Sequence, residues 1–459
     1  MKTIARSTDN VDRRRLADLI SRERARYAEQ HPRSASAYSN ARHLFGRTPM
    51  TWMAKQAGGF PLYLATARGA RVTDLDGHTY IDLCLGDTGA MAGHSPEPVV
   101  EAVNQRLGVL GGATAMMPTE DAAWVGEELT RRFGLPQWSL SLTATDANRW
   151  AIRLARAVTG KQKILVNSYC YHGSVDESLI VVGPGGTAEV REGNVGAPVD
   201  TRVTSRVAEF NDLTRLAAEL ANGDVAAVLM EPALTNIGIV LPEPGYLEGV
   251  RRLTREHGVL LINDETHTFS AGPGGCTQAW GLEPDILTIG KAIGGGVPVG
   301  AYGLSDEVTA RVEARDDLDL IDMGGVGGTL AGNALSVAAT KATLEHVLTD
   351  EAFAGMTALG THLADGTAAL IQKHGVPWSV AQLGARAEFR FADPAPRNGG
   401  ESHAAGDPEL DDYLHVYAAN RGVLLTPFHN MALVCPATTR DDVDAHLEVL
   451  DAAIAELVG

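Results

Sequence analysis

The sequence predicts an α/β fold in which a mostly parallel sheet is flanked by helices. From about residue 90 onward, short apolar runs alternate with amphipathic helical segments, an order typical of parallel strands joined by right-handed crossovers. The runs are apolar throughout, as expected for strands that are covered on both faces. We therefore predict strands at residues 139–143, 163–167, 225–230, 259–263 and 286–289.

Three segments are expected along the chain. Residues 1–85 are predicted to form an N-terminal helical arm and a small β segment, in which two short strands flank an Asp-Gly turn. Residues 86–333 carry the alternating pattern of a large domain, and residues 334–459 form a smaller C-terminal α/β domain. The Gly- and Pro-rich stretch 183–198 lacks periodicity, which indicates a functional loop or disorder.

Composition narrows the class of protein. The chain has 39 Lys and Arg against 57 Asp and Glu, a formal net charge of −18, which disfavours a nucleic-acid partner. Its apolar runs fall short of the ~18–20 residues that span a bilayer, and the charged N-terminus has no apolar signal core. Four scattered cysteines without a Cys-x-x-Cys pair favour a reducing compartment. We expect a cytoplasmic protein with no membrane partner.

The strongest local signal is Lys291, which follows a predicted buried strand. Gly290 precedes it and a run of three glycines, 294–296, follows it. An amine that loses its hydration at a strand end becomes a competent nucleophile, the form needed to build a Schiff base. The glycines would allow a flat group to approach the backbone closely. The alternative is a solvated lysine beside a flexible turn.

A second signal follows the strand predicted at residues 259–263. Asp264 begins a polar run that continues to His267. A buried carboxylate at this point needs a cationic partner or strong hydrogen-bond donors, and a protonated pyridine nitrogen is one candidate. The alternatives are helix capping for Asp264 and a core histidine for His267.

Two further strand ends carry candidate residues. Thr143, Ala144 and Thr145 lead from a strand into an amphipathic helix, and small hydroxyl residues with free N–H groups at a helix N-terminus form a phosphate cup. Tyr171 and His172 follow the strand 163–167, where an aromatic ring can stack on a flat cofactor. The alternatives are a plain helix cap and a core aromatic.

All four signals follow strands of one predicted parallel sheet, whose carboxyl ends are where such folds bind ligands. A phosphate cup, a stacking ring, a carboxylate and a lysine that converge there describe a site for pyridoxal phosphate (PLP). The sequence therefore predicts PLP as the cofactor.

Further motifs accompany these signals, and together they resemble a known family. They are Asp74-Leu75-Asp76-Gly77, Tyr171-His172-Gly173, Glu231-Pro232, the stretch 242–249 and the stretch 328–333. Over about residues 45–459 the chain resembles the class III PLP-dependent aminotransferases of fold type I, particularly the glutamate-1-semialdehyde aminomutase branch. The resemblance implies a large PLP-binding domain with a mostly parallel sheet, and a smaller α/β domain built from the N- and C-terminal segments.

The resemblance also implies roles for single residues. Lys291 would form the Schiff base and shuttle a proton, and Asp264 would pair with the pyridinium nitrogen. Thr266 and Tyr171 would cover the two faces of the ring. The expected catalytic residues are thus Lys291 and Asp264. The expected cofactor-binding residues are Thr143, Ala144, Thr145, Tyr171, His172, Asn236, Asp264, Thr266, His267, Lys291 and Thr329.

Within this set, His267 and Asn236 would lie near the phenolic oxygen of the cofactor, and Ala144 and Thr145 would donate to its phosphate. Thr329 would reach the phosphate from the neighbouring subunit. The resemblance therefore implies a homodimer with active sites at the interface.

The chain departs from the family pattern at two places. The phosphate loop, usually Asn-Ser-Gly-Thr-Glu-Ala, has Ala144 at the position of the glycine, which adds a methyl group beside the phosphate. The aminomutase-branch arginine that holds the substrate carboxylate is replaced by Thr51, followed by Trp52. The loss of this bidentate clamp favours a less polar amine. Arg386, at the start of a C-terminal strand, is a candidate for an acceptor carboxylate or for a structural ion pair.

We therefore expect an aminotransferase that moves an amino group from an amine, β- or ω-amino acid donor to a keto-acid acceptor by a ping-pong mechanism, without a metal. One alternative is a glutamate-1-semialdehyde-type 2,1-aminomutase, which needs no second substrate. Another is a PLP-dependent lyase or decarboxylase. A third is a binding or regulatory protein that has kept the fold, against which the intact pair of Lys291 and Asp264 argues.

Overall fold

The computed structural model describes residues 11–196, 200–321 and 323–459. The predictions for residues 1–10 and 197–199, in the arm and in the Gly- and Pro-rich stretch, lie outside the described residues. The helices are α1 (Arg13–Gln30), α2 (Pro32–Asn40), α3 (Glu97–Asn104), α4 (Asp121–Phe133), α5 (Ala144–Thr159), α6 (Thr201–Thr204), α7 (Leu213–Leu220), α8 (Tyr246–Glu256), α9 (Gly275–Ala279), α10 (Asp306–Glu313), α11 (Ala334–His346), α12 (Asp350–His374), α13 (Gly399–Ala404), α14 (Pro408–Ala419) and α15 (Arg440–Val458). The strands are β1 (Leu64–Arg68), β2 (Arg71–Asp74), β3 (Thr79–Asp82), β4 (Gln137–Ser141), β5 (Lys163–Asn167), β6 (Ile180–Val182), β7 (Ala188–Val190), β8 (Ser205–Ala208), β9 (Val225–Met230), β10 (Leu260–Asp264), β11 (Ile286–Ile289), β12 (Gly300–Leu304), β13 (Ser379–Leu383), β14 (Arg386–Arg390), β15 (Val423–Leu424) and β16 (Met431–Leu433).

The chain divides into two compact units. Unit 1 consists of residues 1–96, 354–396 and 405–459, and unit 2 consists of residues 97–353 and 397–404. The division into three segments drawn from the sequence stays a prediction.

Unit 2 is built on a seven-stranded sheet with the order β4-β12-β11-β10-β9-β5-β8. Strands β11, β10, β9, β5 and β8 are parallel neighbours, whereas β12 is antiparallel to both β11 and β4. The sheet is therefore mostly parallel, as predicted. Strands β8 and β12 were not predicted from the sequence. The predicted strand at 139–143 begins and ends two residues earlier in the structure.

Helix α5 shows how the sequence pattern positions the site. The Thr143 side chain caps its N-terminus, and Gly160 ends it in the left-handed conformation, with φ 67°. Its buried stripe, at positions i, i+3, i+4 and i+7, packs against the sheet in one apolar cluster with residues from β5, β9, β10 and β11. The packed stripe fixes which face of the helix lies against the sheet.

In its described residues, unit 1 contains two small sheets. Strands β1, β2 and β3 form the predicted meander, and β15 joins it parallel to β3. Strands β13, β14 and β16 form an antiparallel sheet. Helix α1, expected to be an arm, buries Leu16 and Leu19 in an apolar cluster with residues of α14 and α15. Its apolar face is therefore covered within its own chain.

Among the described residues, no helix combines the length and the apolarity that crossing a membrane requires.

Candidate active site

Four of the signals that the sequence singled out follow strands of the unit 2 sheet at one of its edges. Six of the seven strands run in one direction, since only β12 is reversed. The ends of β4, β5, β10 and β11 therefore open onto the same edge, and each is followed by one of the four predicted signals. This edge is the usual place for a ligand in such sheets.

Asp264, the last residue of β10, is buried and held by three hydrogen bonds. Its Oδ2 accepts from Asn148 Nδ2 and from His172 Nδ1, both at 2.8 Å, and its Oδ1 accepts from the Thr266 backbone N–H at 3.0 Å. Burial alone would raise the pKa of Asp264, but the hydrogen bond and charge of His172, with the other donors, lower it to about 2. Asp264 is thus a carboxylate at neutral pH, suited to hold a cation.

Asn148 connects three elements behind this carboxylate. It lies buried in α5, its Nδ2 also donates to the His172 carbonyl at 3.1 Å, and its Oδ1 accepts from Thr288 Oγ1 on β11 at 2.6 Å. Sequence reasoning missed the roles of Asn148 and Thr288. A signal was available, because Asn148 is a polar residue on the apolar stripe of a predicted helix, four residues after Ala144.

Lys291 follows β11 and begins a short helical turn. Its φ of 50° lies in the left-handed region, which costs a non-glycine residue about 1–3 kcal/mol and is common at functional sites. Its Nζ lies 2.9 Å from His267 Nε2. A Cβ added to Gly290 would lie 2.9 Å from the Ala144 Cβ and 3.0 Å from the Ala144 nitrogen. The lysine therefore lies next to the first turn of α5.

The first turn of α5 has the polar groups of a phosphate cup. Thr143 Oγ1 accepts from the Asp146 backbone N–H at 3.1 Å, so this hydroxyl serves as the helix cap. Thr145 Oγ1 accepts from the Ser174 backbone N–H at 3.2 Å, which leaves its hydroxyl hydrogen to donate. The leading N–H groups of a helix attract anions.

Three other predicted cofactor ligands follow strands of the same sheet. The Thr266 hydroxyl is buried and has no hydrogen-bond partner among the described residues. Tyr171 is 41% exposed, so its ring is open at the sheet edge. Asn236 lies in a turn whose ends, Leu234 and Val240, pair with each other.

Two buried glutamates complete this region. Glu231 follows β9, and its Oε2 accepts from the Thr235 hydroxyl. Burial raises the pKa of Glu231 to about 7. Glu265 accepts from the backbone N–H groups of Cys276 and Thr277 at 3.1 and 2.6 Å, so it ties β10 to the start of α9.

Thr329 is exposed on unit 2. It lines an open cleft of about 1300 Å³ together with Arg149 and Arg153 of α5 and the glycine-rich segment 324–328. Its role at the site of a neighbouring subunit stays a prediction.

The two predicted substrate residues lie in unit 1. Trp52 is 43% exposed and meets Phe428 edge to face, with ring centroids 5.9 Å apart. Arg386 is buried and donates to Thr88 Oγ1 at 2.6 Å. Their roles toward substrate stay predictions.

Unit 1 also contains a cluster of potential metal ligands, His31, Asp74 and His78. The ring nitrogens of His31 already contact the Tyr27 carbonyl at 2.6 Å and the Tyr80 hydroxyl at 2.7 Å. The Tyr80 hydroxyl also donates to Asp74 at 2.8 Å. We interpret the cluster as a hydrogen-bond network that attaches α1 to the meander.

The residues at the unit 2 edge fit pyridoxal phosphate. Asp264 offers a carboxylate for a ring nitrogen, and the partnerless hydroxyl of Thr266 lies two residues away from it. The close approach of Gly290 to Ala144 places Lys291 beside the first turn of α5.

Comparison with known proteins gives a family match and close structural relatives. Residues 52–454 match the family model for aminotransferase class-III. A crystal structure of a glutamate-1-semialdehyde-aminomutase from Pseudomonas aeruginosa PAO1 is 47% identical, with a TM-score of 0.94, over 98% of this chain and 100% of that one. A second structure under that name is a lysine-to-alanine variant in complex with PMP.

Two more relatives bear on the reaction. Glutamate-1-semialdehyde 2,1-aminomutase 2 from Brevibacillus brevis is 34% identical over 407 residues, covering 86% of this chain and 91% of its own. The crystal structure of an omega-transaminase from Sphaerobacter thermophilus is 28% identical with a TM-score of 0.83, over 93% of this chain and 98% of that one.

Proposed function

The chain belongs to the class III aminotransferases, PLP-dependent enzymes of fold type I, and from this premise we propose that Lys291 and Asp264 are its catalytic pair. The observation that carries the proposal is the anionic Asp264 at the end of β10, held by Asn148 and His172. Such a carboxylate keeps a proton on the cofactor's ring nitrogen.

The first candidate reaction is a 2,1-aminomutase, in which the amino group moves between two carbons of one substrate. The relatives of 47% and 34% identity carry the name glutamate-1-semialdehyde aminomutase, and they support this reading over the transaminase expected from the sequence. The substrate would be glutamate-1-semialdehyde or a similar amino aldehyde.

The second candidate is intermolecular transamination from an amine, β- or ω-amino acid to a keto acid. It is favoured by the resemblance to the aminomutase branch, which implies that Thr51, followed by Trp52, replaces the carboxylate-binding arginine of that branch. It is also supported by the similarity to an omega-transaminase. No observation favours a lyase or a decarboxylase.

Different residues of unit 2 would have different roles in either reaction. Bound PLP supplies an electron sink to the carbon that bears the amine. Thr145 and the first turn of α5 would bind the phosphate, and Asp264 would hold the ring proton. The Lys291 amine, 2.9 Å from His267, accepts and returns the substrate proton.

The deciding experiment offers the purified enzyme glutamate-1-semialdehyde alone. Rapid formation of 5-aminolevulinate without an acceptor supports the aminomutase. Turnover only when an amine donor is combined with pyruvate or 2-oxoglutarate, with both products in equal amounts, supports the transaminase. Lys291→Ala is the inactive control for both.

A separate measurement tests the cofactor assignment. Borohydride reduction of the holoenzyme followed by peptide mapping should find the cofactor on Lys291. A label on any other lysine would overturn the proposed site.

We propose that the enzyme works as a homodimer in the cytoplasm. Unit 2 exposes large apolar side chains in the segment 107–117, including Val109, Met116 and Met117, as expected of a surface that another subunit covers. The exposure of Thr329 agrees with a role at the partner's site. The four cysteines are free thiols, which fits a reducing compartment.

A further inference from the structure

Tyr169 lies between β5 and the predicted site residues Tyr171 and His172, and its backbone has a conformation that aromatic residues rarely adopt. Its φ is 61°, in the left-handed region, which a bulky side chain avoids. Such strain persists only where surrounding contacts hold it, and it is common at functional sites. The contacts around Tyr169 therefore bear on what this segment does.

Two side chains from other parts of unit 2 hold the Tyr169 ring. The His403 ring of α13 stacks on it, with centroids 4.5 Å apart and an angle of 17° between the planes. The Arg191 guanidinium lies 5.7 Å from the centroid of the same ring, and its Nη1 donates to the Cys170 carbonyl at 2.9 Å. Arg191 belongs to the Gly- and Pro-rich stretch 183–198, so this part of the stretch contacts the end of β5.

The helix that carries His403 is itself attached to the rest of unit 2. Three hydrogen bonds hold α13 and the residues before it: Asn211 Nδ2 to the Arg397 carbonyl at 2.8 Å, the Gly400 N–H to Glu209 Oε2 at 3.3 Å, and the Ser402 hydroxyl to the Ile237 carbonyl at 2.5 Å. Gly399 approaches Ser168 so closely that an added Cβ would lie 2.1 Å from the Ser168 carbonyl oxygen. His403 therefore stacks on Tyr169 from a fixed support.

The residues that follow Tyr169 lead to the carboxylate of the proposed site. His172 Nδ1 lies 2.8 Å from Asp264 Oδ2. On the other side of Tyr169, the Ser168 N–H donates to the Ala208 carbonyl at 2.9 Å. Only three residues separate Ser168 from His172, so the backbone conformation at Tyr169 governs how His172 meets Asp264.

We propose that His403 and Arg191 are positioning residues, which together hold Tyr169 in its strained conformation and so hold His172 against Asp264. We call Tyr169, His403 and Arg191 the Tyr169 cluster. Loss of the cluster would let segment 169–172 relax and would weaken a hydrogen bond that favours the ionised form of Asp264. The contact between His172 and Asp264 is a property of this chain, and only its consequence for the cofactor rests on the proposed function.

The test measures hydrogen exchange of segment 168–173 in the apoprotein by mass spectrometry. His403 is exposed, so its replacement should leave the fold intact. His403→Ala should raise the exchange rate about fivefold, the equivalent of one aromatic pair. His403→Phe keeps a flat ring and should restore most of the protection. His346→Ala, at an exposed histidine of α11, is the matched control and should change nothing.

Arg191→Met tests the other half of the Tyr169 cluster. It removes the charge near the ring and the donor to the Cys170 carbonyl, and it should also raise exchange in segment 168–173. The proposal requires a rise in both single variants. Exchange equal to that of the control in either of them would overturn it.

A second measurement connects the Tyr169 cluster to the cofactor. His403→Ala should weaken PLP binding in equilibrium titration and shift the pH at which the absorption of bound PLP changes, and His403→Phe should reverse both effects. Raised exchange with unchanged PLP binding and an unchanged absorption titration would overturn the positioning role. If the wild type itself does not bind PLP, the proposed function fails, whereas the exchange rates still decide whether His403 and Arg191 hold the segment.

Discussion

The negative charge of Asp264 is stabilised by its hydrogen-bond donors and opposed by its burial. A carboxylate buried at a strand end would by itself take up a proton, yet the contacts with His172, Asn148 and the Thr266 N–H lower its pKa to about 2. The function proposed for this residue therefore depends on side chains from several elements. Of the three donors, only Thr266 is close to Asp264 in the sequence. The other two, Asn148 and His172, cannot be identified from the residues next to Asp264.

Asp264→Asn should lower kcat by roughly a hundredfold or more, because a neutral amide no longer holds the ring proton during the reaction. The variant should still bind some PLP through Lys291 and the phosphate cup. Activity and PLP content per chain are the measurements. The control is Asp306→Asn, an exposed residue in the first turn of α10. A kcat equal to that of the control would contradict the role of Asp264.

His446, buried in α15, makes a prediction about stability and pH. Burial lowers its pKa to about 4, and its Nδ1 has no partner among the described residues. The unfolded chain protonates its histidines near pH 6.5, so between pH 6.5 and 4 the unfolded state binds more protons. Folding stability should therefore fall as pH drops through this window, by about 2 kcal/mol at pH 5.

His446→Leu removes this titration and should lose less stability between pH 7 and pH 5 than the wild type. The measurement is the unfolding midpoint in denaturant at the two pH values. His346→Leu, which changes an exposed histidine of α11, should keep the pH dependence of the wild type. Equal pH dependence in His446→Leu and the wild type would show that His446 does not titrate as expected.

At the scale of the elements, the proposed cofactor site depends on how α5 lies relative to the end of β11. The two meet where Gly290 passes the Ala144 backbone, a contact with no space for a further methyl group. The periodicity of the sequence predicted which face of α5 is buried. It did not predict that Ala144 meets Gly290, because that contact depends on the order of the strands in the sheet. Strand β12 illustrates the same point, since its reversed direction brings Gly300 against the Thr143 carbonyl.

Gly290→Ala should weaken PLP binding and destabilise the protein by about 1–3 kcal/mol, because the added Cβ overlaps with Ala144. The PLP dissociation constant and the thermal midpoint are the measurements. Gly272→Ala is the control, since its Cβ meets nothing within 4 Å. Adding Ala144→Gly should restore part of the loss by removing the facing methyl group. No recovery would mean that the contact with the Ala144 side chain is not the cause.

At the scale of the whole molecule, the question is whether each site is shared between two chains. The apolar segment 107–117 and Thr329 are exposed in the single chain. A two-fold dimer uses the same surface patch of both chains as its interface. A residue of one chain that reaches the site of the other therefore does so at both sites.

Mixing two inactive variants tests this arrangement. Lys291→Ala lacks the reactive amine, and Thr329→Glu places a carboxylate against the phosphate. In a hybrid dimer one site carries both changes and the other carries neither. Refolding equal amounts should give half hybrids with half of their sites intact, so roughly a quarter of wild-type activity should return. A mixture as inactive as its parents, with hybrids shown to form, would mean that Thr329 does not act across the interface.

The sequence by itself determined the α/β class, the predicted strands of the sheet, the PLP family and the positions of Lys291 and Asp264. It could do so because apolar runs, helical periodicity and chemistry at strand ends are local signals. The tertiary structure decided which groups surround them. Asn148, Thr288 and Glu231 lie far from Asp264 along the chain and come near it only because α5, β11 and β9 meet at one sheet edge. Likewise, burial and neighbouring charges set the protonation of Asp264, and both depend on packing that no local pattern specifies.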